Sequence, residues 1–277
     1  LGSDAGPYGA ECVSCHVTGY DEAADSGGFD DVAREIGWRL PDRLERGNRR
    51  ELPRDLVRLA NVQCLGCHGP GHLAPRELRS IVLRVEVCAQ CHDAPPRYPK
   101  VVEWRSSAMA RSLGPYGALD PAADPACARC HTAQGFIAST KGGRPPVVPH
   151  PRVVQPITCA ACHDPHSAQN RHQVRVTGGA EIPSGRLEGL GAGALCARCH
   201  NAGAPPDAMA STLPMAPQTE VVAGVGALGV GSSAPPAVHR GVPDFCVGCH
   251  MRPAPAPATA AAVAEVSGHT FLARSAG

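Results

Sequence analysis

Fourteen cysteines occur in this chain of 277 residues, and every one belongs to a Cys-x-x-Cys pair followed at once by histidine. The pairs are Cys12 and Cys15 before His16, Cys64 and Cys67 before His68, Cys88 and Cys91 before His92, and Cys127 and Cys130 before His131. Cys159 and Cys162 precede His163, Cys196 and Cys199 precede His200, and Cys246 and Cys249 precede His250. No cysteine is left over. The chain has 13 histidines in all. Chance placement of one after all seven pairs has a probability on the order of 10⁻⁹.

C-x-x-C-H is the attachment signal of c-type haem. Two thiols three residues apart reach the two vinyl groups on one edge of a porphyrin, and the next imidazole lies where it can bind iron. Other chemistries fit less well. Zinc ribbons use C-x-x-C units in twos and need no histidine after each. A disulfide scaffold does not space every pair identically. Thioredoxin-type sites carry one C-x-x-C near a βαβ pattern. The expected cofactors are therefore seven haem c groups, held by the 14 cysteines, with His16, His68, His92, His131, His163, His200 and His250 as iron ligands.

That number constrains the fold. Each motif has about 40 residues to itself, and successive motifs start 24 to 52 residues apart. So little chain cannot isolate one porphyrin from six others, so the haems pack together and form the core. They replace aromatic side chains, which make up 4% of the residues. The expected fold is mostly irregular, with short α-helices and little or no β-sheet. It forms a single haem-cored multihaem cytochrome module over residues 1–277. Helix candidates are 30–60, interrupted at Pro41 and Pro53, and 101–113, with short turns at most motifs. Residues 203–238, rich in Ala, Gly and Pro, and 253–264, rich in Ala and Pro, read as loops.

The net charge of +1 leaves no basic footprint for nucleic acid. No apolar run approaches the ~18 residues of a membrane span, so no transmembrane segment is expected. Each oxidised haem adds roughly −1 once its propionates ionise, which takes the holoprotein to about −6, and full reduction to about −13. Thioether formation occurs outside the cytoplasm, so the expected location is periplasmic or extracellular. The chain begins at Leu1 with no Met, no basic stretch and no apolar leader, and reads as a processed or partial chain.

Seven irons have 14 axial positions against 13 histidines. Beyond the motifs stand His72, His150, His166, His172, His239 and His269. At least one position falls to Met, to another chain, to a missing segment, or stays open. His72 and His166 lie too near His68 and His163 to share their irons, and reach adjacent haems instead. His172 sits in a polar stretch that suits a solvated side chain. Met251 directly follows His250 and cannot fold back onto its iron. Met109, Met209 and Met215 are free candidates.

The residues resemble the multihaem cytochrome c superfamily that includes hydroxylamine oxidoreductase, small tetrahaem cytochromes of ammonia oxidisers and secreted cytochromes of metal-reducing bacteria. The matching stretches are Ala10–Tyr20, Asn61–His72, Cys130–Phe136, Cys162–His166, Cys249–Met251 and His269–Phe271. The resemblance implies that His72, His166, His239 and His269 are distal ligands. Two departures stand out. Where such proteins often carry W-x-x-S-x-H-A, this chain has Met109 at the His position after Trp104. Where a Pro-His stretch often precedes Pro-Gln, it has Pro214-Met215-Ala216. Met109 is thus the first candidate for the missing ligand and Met215 the second; if both bind, His172 is free.

The expected function is electron transfer along the haem chain between redox protein partners. Copies stacked as a homo-oligomer or extracellular filament would continue the path. The alternative is an oxidoreductase acting on nitrite or hydroxylamine at one open iron. Against it, every motif ends in His, and the only lysines, Lys100 and Lys141, follow no C-x-x-C. No dedicated catalytic residues are visible.

Overall fold

A computed structural model describes residues 13–41, 48–69, 83–93, 99–114, 124–141, 154–203, 216–226, 237–255, 265–266 and 268–273. Contacts divide the chain into two units, Leu1–Val82 with Glu86–Cys91, and Leu83–Val85 with His92–Gly277.

In the first unit, five short helices follow one another: α1 (Val13–His16), α2 (Phe29–Glu35), α3 (Asn48–Glu51), α4 (Arg54–Val57) and α5 (Cys64–His68). None is long enough to be stable alone, so tertiary packing must hold them. Val13, Phe29, Ala33 and Leu56 form the buried cluster, with Trp38 edge-on to Phe29 at 5.8 Å between ring centroids. Full burial of Phe29 and Leu56 contributes about 1.5–3 kcal/mol each. The start of α2 is fixed by Asp31, whose Oδ2 accepts from the backbone N–H groups of Ser26 (2.7 Å), Gly27 (2.8 Å) and Gly28 (3.3 Å). These are donors that a helix start would otherwise leave unpaired. The helix ends before either proline, at Gly37, whose φ of +68° lets the Trp38 N–H return to the Ala33 carbonyl. That turn brings Trp38 back onto Phe29. Thr18 ties the chain after α1 to the chain before α5: its hydroxyl donates to the Asn61 carbonyl and accepts from the Gln63 N–H, both at 2.9 Å.

Helix α6 (Val85–His92) carries the third motif. The second unit continues with α7 (Lys100–Ser106) and a 3₁₀ turn at Met109–Arg111, which together match the candidate at 101–113. Next come α8 (Pro125–His131) and α9 (Ala133–Thr140). Thr132, fully buried, joins them. Its hydroxyl donates to the Ala128 carbonyl and accepts from the Gly135 N–H, both at 2.9 Å, so one side chain ends α8 and caps α9. After α10 (Cys159–Cys162) runs an antiparallel hairpin of β1 (Gly178–Ile182) and β2 (Gly185–Gly191). Ala180, Ile182, Leu187 and Leu190 face inward, onto α11 (Ala194–Ala197), Ala223 of α12 (Gln218–Ala223), and Phe245. A 3₁₀ turn at Val238–Gly241 leads to α13 (Val247–His250), and β3 (Ala254–Pro255) pairs with β4 (Glu265–Val266).

The architecture is thus short helices and irregular chain, with sheet confined among the described residues to these two small pairings. The hairpin has little sequence signature because glycine interrupts both strands. Helix α12 lies inside the Ala/Gly/Pro-rich stretch 203–238, and β3 opens the stretch 253–264; most of both stretches lies outside the described residues.

Candidate haem-attachment sites

Each described motif folds as a turn of helix. In three of them the histidine N–H bonds the carbonyl of the first cysteine: His163 to Cys159 at 2.8 Å, His200 to Cys196 and His250 to Cys246 at 2.9 Å. Residues three and four apart share a helix face, so this turn sets both thiols and the imidazole on one side. Apolar clusters flank them. Cys162 and Cys199 pack on the cluster of Leu83, Ala133, Phe136, Ile157 and Ala161, and Cys246 packs on the hairpin cluster.

Every described cysteine is an unbridged thiol. Burial pushes Cys162 up to about 11 and also raises Cys67 and Cys127. The neighbouring Cys199 thiol draws Cys130 down to about 6, and the neighbouring Cys196 thiol lowers Cys246. Motif four touches motif six, where the Cys199 thiol faces the Arg129 carbonyl at 3.9 Å, and Cys246 of motif seven packs on the cluster that holds Ala197 of motif six. The neighbouring thiols Cys246 and Cys130, followed by burial, raise Cys196 and Cys199, and Cys162 of motif five adds a smaller contribution in the same direction. Burial lowers His92, with help from Lys100 and His163 nearby, and burial likewise lowers His200, with His250 adding to it. Neutral imidazole is the metal-binding form. In the first unit, the Cys91 thiol faces the Cys15 carbonyl at 3.8 Å, and Cys88 adds to the burial that raises Cys67.

Three motif imidazoles have their Nδ1 on a backbone carbonyl: His131 on Ser112 (2.8 Å), His163 on His172 (2.7 Å) and His250 on Phe271 (2.9 Å). A carbonyl only accepts, so Nδ1 carries the proton in each, and the Nε2 lone pair remains for a metal. This is the usual arrangement behind a metal-binding histidine. Thiols set with an imidazole on one face of a helical turn beside apolar clusters, and imidazoles of fixed tautomer, fit haem c.

Nothing in the sequence marked Ser112 or Phe271 for this role, since any residue supplies a carbonyl. Ser112 is braced twice more: its hydroxyl donates to the His131 carbonyl (3.0 Å) and accepts from the Ile157 N–H (2.8 Å). Among the other sequence candidates, His166 is exposed and lies 3.5 Å from Asp164, which in turn pairs with Arg175. The imidazoles of His172 and His239 are exposed. Met109 is half-buried against the cluster that holds Cys162 and Cys199. His269 stands beside His163, with ring centroids 6.3 Å apart. Cys12, His72, His150, Met209 and Met215 lie outside the described residues.

No family model and no curated protein matches the sequence. Among solved structures, the undecaheme cytochrome from the S-layer of Carboxydothermus ferrireducens is similar to this chain, with a TM-score of 0.51 and 21% identity. The match covers 95% of this chain and 38% of that one, so the chain spans well under half the length of that cytochrome. At this identity the likeness is one of fold: the chain has a multihaem cytochrome fold.

Proposed function

We propose that this chain is a heptahaem c-type cytochrome module, spanning residues 1–277, that carries electrons between redox protein partners in the periplasm or outside the cell. The observation that supports the reading is the set of seven C-x-x-C-H motifs together with their contacts: the Cys199 thiol of motif six faces the Arg129 carbonyl of motif four at 3.9 Å, Cys246 of motif seven packs on the cluster that holds Ala197 of motif six, and the Cys91 thiol of motif three faces the Cys15 carbonyl of motif one at 3.8 Å. When bound, haem supplies a one-electron ferric/ferrous couple at each motif. The chain supplies the rest. Its cysteines tether, and the carbonyls of Ser112, His172 and Phe271 hold three motif imidazoles in the metal-binding tautomer. His72, His150, His166, His172, His239 and His269 serve as second ligands, and Met109, or Met215, takes the position that histidine cannot fill. A thioether ligand there raises that site's potential above its neighbours. Copies joined end to end in a filament extend the path.

The shortfall of one histidine against 14 axial positions favours a second reading, in which one iron stays open and reduces nitrite or oxidises hydroxylamine. Mass spectrometry and the pyridine haemochrome spectrum count the haems. Seven per chain, all low-spin when ferric and none binding carbon monoxide when reduced, is the expected result. Loss of a near-infrared methionine–iron band in Met109→Ala assigns the remaining ligand, and an unchanged band removes Met109 from the set. A high-spin signal that responds to nitrite moves the function to the second reading. A colourless product with the mass of the bare polypeptide overturns both.

A further inference from the structure

We infer that His163 and His269 are the two axial ligands of one iron, that of the fifth motif; this rests on the functional reading above and adds to it which histidine serves which haem. Their ring centroids lie 6.3 Å apart and their planes are 24° from parallel. Rings in van der Waals contact would stand about 3.5–4 Å apart. An imidazole nitrogen lies about 2 Å from a bound metal and about 1 Å from its own ring centre, so two imidazoles on opposite sides of one metal place their centres about 6 Å apart. The observed spacing is therefore that of a pair sharing one ion.

His163 has the tautomer for this. Its Nδ1 is on the His172 carbonyl, which leaves Nε2 on the far edge of the ring. His269 is also held, by a turn built for it. Its N–H donates to the carboxylate of buried Glu103 at 2.8 Å. Gly268 has φ +77°, and a Cβ there would lie 2.5 Å from the Met251 carbonyl, so only glycine fits. The Phe271 N–H closes the turn onto the Gly268 carbonyl at 3.2 Å. Nearer in sequence, His166 has its exposed ring 3.5 Å from Asp164, and His172 contacts His163 through its backbone carbonyl.

The holoprotein tests the assignment through haem count and carbon monoxide titration of the reduced form. His269→Ala is expected to keep seven haems and to bind one more carbon monoxide per chain than the unaltered protein. His163→Ala with His269→Ala is expected to bind no more than His163→Ala alone, because both changes open the same site. One additional molecule in the double variant overturns the pairing, as does unchanged binding in His269→Ala. Should His269→Ala not fold, His269→Met is expected to add one near-infrared methionine–iron band, and absence of that band overturns the pairing. Seven haems with a failed titration sink the pairing alone; a chain without haem sinks the functional reading and the pairing with it.

Discussion

Asp31 shows how much one side chain contributes where no long helix exists. Burial works against its ionisation, yet three backbone N–H donors and the Arg34 guanidinium outweigh burial and hold the carboxyl below its ordinary 3.8. A depressed carboxylate contributes stability that is fully present above the unfolded pKa and is lost as pH falls through the folded one. The melting temperature is therefore expected to drop more steeply in the native protein than in Asp31→Asn between about pH 5 and pH 3. Parallel slopes in thermal scans of the two would show that the carboxylate does not hold the start of α2. At this scale the sequence was legible where chemistry resides in a side chain. All 14 cysteines and the seven histidines that follow them announce themselves by type and spacing. The carbonyls that orient His131, His163 and His250 do not, because Ser112, His172 and Phe271 act through backbone atoms that any residue possesses. His172 was noticed for its imidazole, and the contact it makes is through its carbonyl.

Among the elements, the α8–α9 corner shows how tightly a motif turn is built into its surroundings. Thr132 serves two helix ends, and Gly135 lets α9 pass so close to α8 that an added Cβ would sit 2.2 Å from the Ala128 carbonyl. Backbone cannot yield as a flexible side chain does. Gly135→Ala is expected to cost about 1–3 kcal/mol despite the better helix propensity of alanine. Chemical denaturation, followed at the Soret band and by circular dichroism, measures it; an unchanged midpoint would mean that the helices can separate without loss. The candidate helix at 101–113 emerged close to expectation. The candidate at 30–60 was broken earlier than its prolines indicated, because Gly37 offers a left-handed stop just where Trp38 gains by returning to Phe29. The hairpin of β1 and β2 escaped notice for a related reason. Its inward residues are few and spaced by glycine, and it is packing on α11 and Phe245 that makes it a sheet.

For the molecule as a whole, the scarcity of aromatic residues and the small size of the buried clusters agree with a fold whose apolar bulk comes from bound tetrapyrroles. The polypeptide alone has an isoelectric point near 7.7. In the proposed heptahaem form, ionised propionates on seven oxidised haems would bring the charge to about −6, so the holoprotein is expected to focus well below the bare chain. Isoelectric focusing of both forms checks this, and coincident bands would mean that the propionates are buried and protonated or paired with arginine. One small feature has a larger reach than its size. The turn from Gly268 to Phe271 offers its last carbonyl to His250 and presents His269 to His163, while Glu103 fastens it from beneath. In the proposed holoprotein this turn would be a shared bearing under two haem sites, and a variant that tilts it is expected to disturb the basicity of His250 and the seat of His269 at once, so that the midpoint potentials of the fifth and seventh sites change in the same variants.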